Sequence, residues 1–449
     1  MTAIEIGADL AELDAAMEAL PNSPAVFLLW PKGAEAASAR GETAGARGET
    51  AGARGEAASA RGEAASARGE AASARGEAAS ARGEAASARG EAASARGEAA
   101  SARAETASAR GGAAEGGPYL SKTNLLRRRL LRLLKERERP SRLLNLRHTV
   151  SRIEYCLTGS AFESALVLYE QARRHFPGTY LELIKLRMPP YVKIVLANQF
   201  PRSHITTHLA RSTALYFGPF RSRVSAERFE SQFLDLFQLR RCQEDLAPSP
   251  EHPGCIYGEM AMCLRPCQEV VGPAEYGHEV ARVVDFLRTD GQSLLGAIAH
   301  SRDRLSEEML FEEAARQHKR YERVQEVLKM ADELARDIDR LNGVAITRSL
   351  AADAVEMWFV REGWWQEPQR FSFEVRDGAP VSLDRKLRET FAAVAPRKLT
   401  LRERQEYLAL LARWYYSSWR DGEWLAFESY GDIPYRKLVN AVARVAASK

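Results

Sequence analysis

Apolar residues along the chain recur at two different spacings. Pro24-Ala25-Val26-Phe27-Leu28-Leu29-Trp30 is an apolar, partly β-branched run that predicts a strand. Pro118-Tyr119-Leu120-Ser121-Lys122-Thr123-Asn124 predicts a second strand, entering a helix. In that helix Leu125, Leu126, Leu130, Leu133 and Leu134 interleave with Arg127, Arg128, Arg129 and Arg132, so one side can pack while the other presents cations. From about Arg302 to Leu341, Leu305, Met309, Ala314, Ala315, Val324, Val327 and Leu328 recur at helical intervals among many charges, which predicts an αα-hairpin. Val355–Arg361, Gly363 and Phe371–Val375 predict a β-hairpin, and Leu399–Tyr416 a helix rich in leucine and aromatics. Trp358, Trp364 and Trp365 read as core residues, with base stacking as the alternative.

One long stretch follows neither pattern. From about Ala34 to Arg110 the chain repeats Gly-Glu-Ala-Ala-Ser-Ala-Arg, with arginine at every seventh position from Arg40. The period suits a coiled coil, but alanine is its only apolar residue. A glycine in nearly every heptad costs about 1 kcal/mol of helix propensity. Each glutamate precedes an arginine by five positions, so the helical i,i+4 ion pair is missing. The stretch is expected to be a disordered insertion without chemistry of its own.

Composition changes this picture little. The chain has 449 residues, enough for about two to four domains, and 45% of them are hydrophobic. Residues 1–20 carry Glu5, Asp9, Glu12 and Asp14 without a basic n-region, which is not a signal-peptide pattern. No apolar run approaches the roughly 20 residues that cross a bilayer, so a cytoplasmic protein without membrane association is expected. The net charge of +4 is unevenly spread. Between Lys122 and Arg152 there are eleven Lys or Arg against Glu136 and Glu138, a footprint suited to a phosphate backbone. A merely solvated helix face is the alternative.

Cysteine usage is more specific. Four of the five cysteines, Cys242, Cys255, Cys263 and Cys267, follow the spacing C-x12-C-x7-C-x3-C. Four converging thiolates can cage zinc or an iron–sulfur cluster. Two disulfides or buried unpaired thiols are the alternatives, and disulfides are disfavoured without a secretory signal. Cys156, in the apolar run Ile153–Leu157, reads as a small buried hydrophobe.

The order of several short motifs supplies a family resemblance. Tyr191–Ile194, Phe200-Pro201-Arg202 and Tyr216–Phe220 precede the run Phe229–Leu239 into Cys242, and Leu310-Phe311-Glu312-Glu313-Ala314-Ala315-Arg316 follows downstream. This series resembles the UvrC family, the incision subunit of bacterial nucleotide-excision repair. The two N-terminal strands and their helix resemble the GIY-YIG nuclease domain that opens that family. The resemblance implies an α+β chain of four modules. A small GIY-YIG-type mixed domain is expected over 15–190, with 33–117 as the insertion. A helical UvrC-like linker and cysteine-cluster region is expected over 191–295, a UVR helical hairpin over 300–342, and a small α+β segment over 343–449. By the same resemblance the family's RNase H-like nuclease and helix-hairpin-helix clamp are expected to be missing, so a second incision is not expected.

Carried over residue by residue, the resemblance implies a partly retained nuclease site. Tyr119 stands at the second motif's tyrosine, Lys122 at the family's lysine and Arg127 at the arginine that contacts the scissile phosphate. Ser121 replaces a glycine, Ala25 another, and Phe27 the first motif's tyrosine. Tyr169 falls at the metal-binding glutamate and Leu181 at an asparagine, while Glu170 is one residue out of register and Glu163 is further off. Mg2+ or Mn2+ is expected only if a carboxylate such as Glu170 reaches the site. Arg128, Arg129 and Arg132 are the expected DNA contacts. The four cysteines are expected to hold an iron–sulfur cluster, with zinc as the alternative.

The expected function is DNA binding in nucleotide-excision repair, with damaged double-stranded DNA and, through the UVR hairpin, a UvrB-like protein as partners. An active endonuclease making a single incision near a lesion, a non-cutting adaptor that occupies UvrB, and a redox-sensing DNA-binding protein are the alternatives.

Overall fold

A computed structural model describes residues 1–5, 10–32, 117–135, 144–211, 213–373 and 382–447. The heptapeptide repeat and its expected disorder lie outside the described residues. The chain divides into two units, Met1–Cys156 and Leu157–Lys449. The sequence boundary at 190 therefore falls inside the second unit.

The first unit contains β1 (Thr2–Glu5), α1 (Leu10–Ala19), β2 (Ala25–Pro31), β3 (Tyr119–Thr123), α2 (Leu126–Leu134) and β4 (Val150–Leu157). The sheet order is β1-β4-β2-β3. Residues Ala25 to Leu29 of β2 are all buried, as their unbroken apolar run requires. β2 and β3 pair antiparallel with Phe27 opposite Ser121 and Leu29 opposite Tyr119. α2 buries Leu126, Leu130, Leu133 and Leu134, the i, i+4, i+7, i+8 stripe of an amphipathic helix. Each such leucine contributes about 1.5–3 kcal/mol of burial. Arg147 ties the following loop down. Its guanidinium grips Asp14 of α1 at 2.7 and 2.9 Å and donates to the Leu134 carbonyl at 2.9 Å. The hydrogen bond from Arg147 holds the Asp14 carboxyl below its usual range.

The second unit opens with α3 (Ala161–His175), which Ser160 caps by accepting from the Glu163 amide, and the short α4 (Tyr180–Leu183). β5 (Tyr191–Val195), β6 (Ser203–Thr206), β7 (Ala214–Gly218) and α5 (Arg223–Leu234) follow. Beyond the cysteine segment, with its one-turn α6 (Ile256–Glu259), come α7 (Pro273–Arg288), α8 (Gln292–Glu307), α9 (Phe311–Leu328) and β8 (Arg336–Asp337). The antiparallel sheet β6-β5-β7-β8 carries a core of Phe217, Phe229, Phe233, Phe286 and Val324. Phe217 and Phe229 stack at 5.1 Å.

The α8–α9 pair is an αα-hairpin with its turn at 308–310. It spans 292–328, so its first helix starts earlier than the pattern from Arg302 suggested and the second ends sooner. Leu294, Leu295 and Ile298 extend the buried stripe backwards, while Arg336–Asp337 leaves the helix to pair with β7.

The C-terminal part contains β9 (Gly343–Arg348), β10 (Ala354–Arg361), β11 (Trp364–Trp365), β12 (Gln369–Ser372), α10 (Leu383–Ala392), α11 (Leu401–Tyr415), β13 (Gly422–Ala426) and α12 (Tyr435–Ala447). Its sheet runs β11-β10-β9-β13, and β12 also pairs with β10. The turn from β10 to β11 uses Glu362 and Gly363, both with positive φ, as a two-residue hairpin of right-handed twist demands. A Cβ at Gly363 would sit 2.3 Å from the Ile338 carbonyl oxygen. α10 and α12 cover one face of the sheet through Leu387, Phe391, Leu438 and Val442. On β10, Trp358 meets Phe162 of α3 edge-on at 5.8 Å, and Phe162 stacks on Trp414 of α11 at 4.5 Å. Trp358 and Trp365 are buried, and Trp364 is half-buried beneath the Arg404 guanidinium.

Candidate functional site

In the first unit, β3 and α2 carry the residues nominated for phosphate chemistry. Tyr119 is 8% exposed, and its hydroxyl accepts from Arg129 Nη2 at 3.5 Å. Its ring lies 6.2 Å from that of Phe27, the residue standing for the first motif's tyrosine. Lys122 is exposed, opposite Val26. Arg128 and Arg132 are exposed on the polar side of α2. Arg127 turns elsewhere: its Nε donates to the Leu20 carbonyl at 2.5 Å, which ties α2 to the end of α1. Tyr119 and Arg129 are thus brought together, and Arg127 has a structural contact that its spacing did not foretell.

In the second unit, the α3 residues nominated for metal chemistry are engaged by a distant helix. Tyr169 is 0% exposed, and its hydroxyl donates to Glu406 of α11 at 2.6 Å. Tyr180 donates to the other oxygen of the same carboxylate at 2.5 Å, and Arg402 Nε to that oxygen at 2.9 Å. Glu170 accepts from the Tyr407 hydroxyl at 3.0 Å and from Arg397 Nη2 at 3.1 Å. Arg173 pairs with Glu403. Burial and the bond to Glu406 push the Tyr169 phenol far above the usual tyrosine range, and Tyr180 up to about 12. Glu163 accepts from the Gly159 amide at 2.7 Å, and burial raises its carboxyl. Glu406, Tyr407, Arg397 and Arg402 carried no signal in the sequence, because Glu406 lies 237 positions from Tyr169.

The four clustered cysteines line one cavity of about 10 Å3, room for about one water molecule or ion. None of the five cysteines forms a disulfide, and Cys263 and Cys267 are buried, Cys242 and Cys156 half-buried and Cys255 exposed. The chain reaches this arrangement through left-handed backbone at Gly254, Ala261, Arg265 and Glu269, each close to a cysteine. Only glycine adopts that conformation without strain, so three of these positions are strained. Arg240, buried, donates through Nη1 to Cys242 Sγ at 3.3 Å, and the Arg265 amide donates to Cys263 Sγ at 3.4 Å. Arg241 also lines the cavity, and its Nε is buried without a hydrogen-bond partner. Burial raises the Cys263 and Cys267 thiols.

Soft sulfur donors flanked by N–H groups and guanidinium charge suit a metal–thiolate centre, whose net negative charge such donors offset. Among the described residues, however, no group of three or more His, Cys, Asp or Glu side chains is drawn together closely enough to hold a metal ion. The donor set fits a soft metal or cluster, while the thiols stand apart in one pocket and would have to close on it.

A fourth feature is the α8–α9 turn, where Met309, Leu310 and Phe311 are 75%, 44% and 65% exposed. Among the described residues no helix is long and apolar enough to cross a membrane.

Known proteins resemble part of this chain. The model for the UvrC/Cho excinuclease middle domain matches residues 190–286, from β5 through the cysteine segment into α7. "UvrABC system protein C" of Lachnospira eligens is 23% identical over 265 residues, 58% of this chain and 43% of that protein. The protein of the same name from Dehalococcoides mccartyi is 26% identical over 228 residues, 50% of this chain and 37% of that protein. The one from Moorella thermoacetica is 27% identical over 245 residues, 55% of this chain and 40% of that protein. The match therefore spans about two-fifths of these relatives' length. No solved structure matches the chain. Residues 190–286 thus match the UvrC/Cho excinuclease middle domain, and about half of the chain is similar to proteins named UvrABC system protein C.

Proposed function

We propose that the chain works in cytoplasmic nucleotide-excision DNA repair as a duplex-binding subunit that docks a UvrB-like protein and does not cut through its N-terminal domain. The observation that carries the non-cutting part is the engagement of α3 by α11. Tyr169 offers a hard cation no carboxylate, and Glu170 already accepts from Arg397 and Tyr407. Mg2+ or Mn2+ would be held there only if Glu170 exchanged those donors for the metal.

In this reading Lys122, Arg128, Arg129 and Arg132 meet the phosphate backbone, and Tyr119 is a retained member of the same surface. The exposed turn of α8–α9, rather than its buried stripe, meets the UvrB-like partner. Cys242, Cys255, Cys263 and Cys267 would hold an iron–sulfur cluster or zinc, with Arg240 and the Arg265 amide stabilising the thiolates. Such a centre would chiefly organise its loop, which has few buried apolar side chains.

The test is a nicking assay on damaged duplex loaded with UvrB, in magnesium and in manganese, with Tyr119→Phe as control. Association and DNA binding without cutting are expected. Cutting that Tyr119→Phe abolishes would overturn the non-cutting reading and point to Glu170 as a ligand. Failure to associate with UvrB would overturn the docking reading.

A further inference from the structure

The C-terminal part holds a basic groove that no motif announced. Its volume is about 590 Å3, and Asp384, Arg388, Tyr435, Arg436, Lys437 and Asn440 line it, from α10 and α12. Three cations face one carboxylate, and that carboxylate is spent: Arg388 Nε donates to Asp384 Oδ2 at 2.8 Å. The Arg388 guanidinium also lies 4.0 Å over the Tyr435 ring, which holds it at the groove wall. Arg436, Lys437 and Asn440 are exposed, and their side chains make no hydrogen bond or ion pair among the described residues. α12 contains no acidic residue, and its first turn carries two cations where the helix dipole favours anions. Local electrostatics thus work against this arrangement, as they do where a surface awaits an opposite charge.

We propose that the groove is a second contact for the phosphodiester backbone of a nucleic acid, separate from the basic face of α2. Arg388, Arg436 and Lys437 take phosphate oxygens, and the Asn440 amide takes a phosphate or sugar oxygen. The inference rests on the DNA-binding reading above. An open groove with two exposed, unpaired cations suits a polyanion better than a single free phosphate, which needs donors on several sides.

The test uses the full chain and a fluorescent duplex, with affinity measured across a salt series. Arg436→Gln/Lys437→Gln should weaken binding about tenfold and flatten the dependence of log K on log salt by about 2. Arg436→Lys/Lys437→Arg should keep the slope, which excludes a folding defect as the cause. Arg128→Gln/Arg132→Gln is the comparison arm. A slope lost only in that arm overturns the groove and leaves the DNA-binding reading intact, whereas no binding by the parent chain overturns both. Calorimetry with inorganic phosphate separates the sources. Phosphate heat that the Gln pair removes, with duplex affinity unchanged, would overturn the nucleic-acid assignment.

Discussion

The phenol of Tyr169 and the carboxylate of Glu406 share a 2.6 Å hydrogen bond in a site where Tyr169 is 0% and Glu406 1% exposed. A buried carboxylate is stable only when its lone pairs are taken, and Tyr169, Tyr180 and Arg402 take them. Removing one charge-assisted donor costs about 1.5–3 kcal/mol. Tyr169→Phe should therefore lower the unfolding free energy of the second unit by about that amount, read from a urea midpoint that falls at unchanged slope. Tryptophan fluorescence follows it well, because every tryptophan except Trp30 lies in residues 157–449. Tyr169→Glu should cost more, by about 3–5 kcal/mol, since it sets a second buried carboxylate beside Glu406. It should also fail to create nicking activity.

The same cluster makes the fold sensitive to alkali. Burial first, and the bond to Glu406 second, raise Tyr180 to about 12, and Tyr169 and Tyr407 are raised further. Each phenol ionises near 10 in the unfolded chain. A raised folded pKa means that the stabilisation is complete below about pH 10 and is lost as pH rises toward 12 and beyond. The melting temperature should be flat in this respect to about pH 9.5 and then fall. A Tyr169→Phe/Tyr180→Phe chain should start lower and fall less steeply, and an unchanged slope would remove these phenols as the cause.

Cys263→Ser should lower bound metal in protein isolated without oxygen, by metal analysis and, for iron, by its visible thiolate absorption. Arg240→Met should keep all four sulfurs yet release the metal faster to a chelator. Arg240 supports Cys242 Sγ and is anchored to the Phe200 and Glu244 carbonyls at 2.9 and 3.0 Å. Equal release rates for the parent and Arg240→Met would leave that arginine a purely structural role.

At the α8–α9 turn, Phe311→Asp should abolish association with a UvrB-like partner while shifting the melting temperature little. Its ring is 65% exposed and contributes little to the core, so charge there acts on binding. Val324→Asp, at 0% exposure, should instead unfold the hairpin. Retained association in Phe311→Asp would place the docking surface elsewhere.

By itself the sequence determined the local pieces. The apolar run at Val26–Trp30, the Leu126–Leu134 stripe with its arginine face and the helix starting near Leu401 exist where periodicity put them, within a few residues, and an αα-hairpin exists too, displaced toward the N-terminus at 292–328. The spacing of the four cysteines marked them as a set, and it is the packing that places them around a common pocket. Only tertiary structure decided what covers each face. The resemblance set Tyr169 at a metal-ligand position, whereas the carboxylate its hydroxyl meets comes from Glu406, 237 positions away, and no local pattern encodes such a pair. The end of the hairpin at Leu328 was equally hidden, because Arg336–Asp337 leaves the helix for an open edge of β7. The groove beside α12 needed α10 and α12 side by side before Arg388, Arg436 and Lys437 became neighbours. Burial is a local property of a helix face or strand, whereas the identity of its partner is settled by the packing of the whole chain.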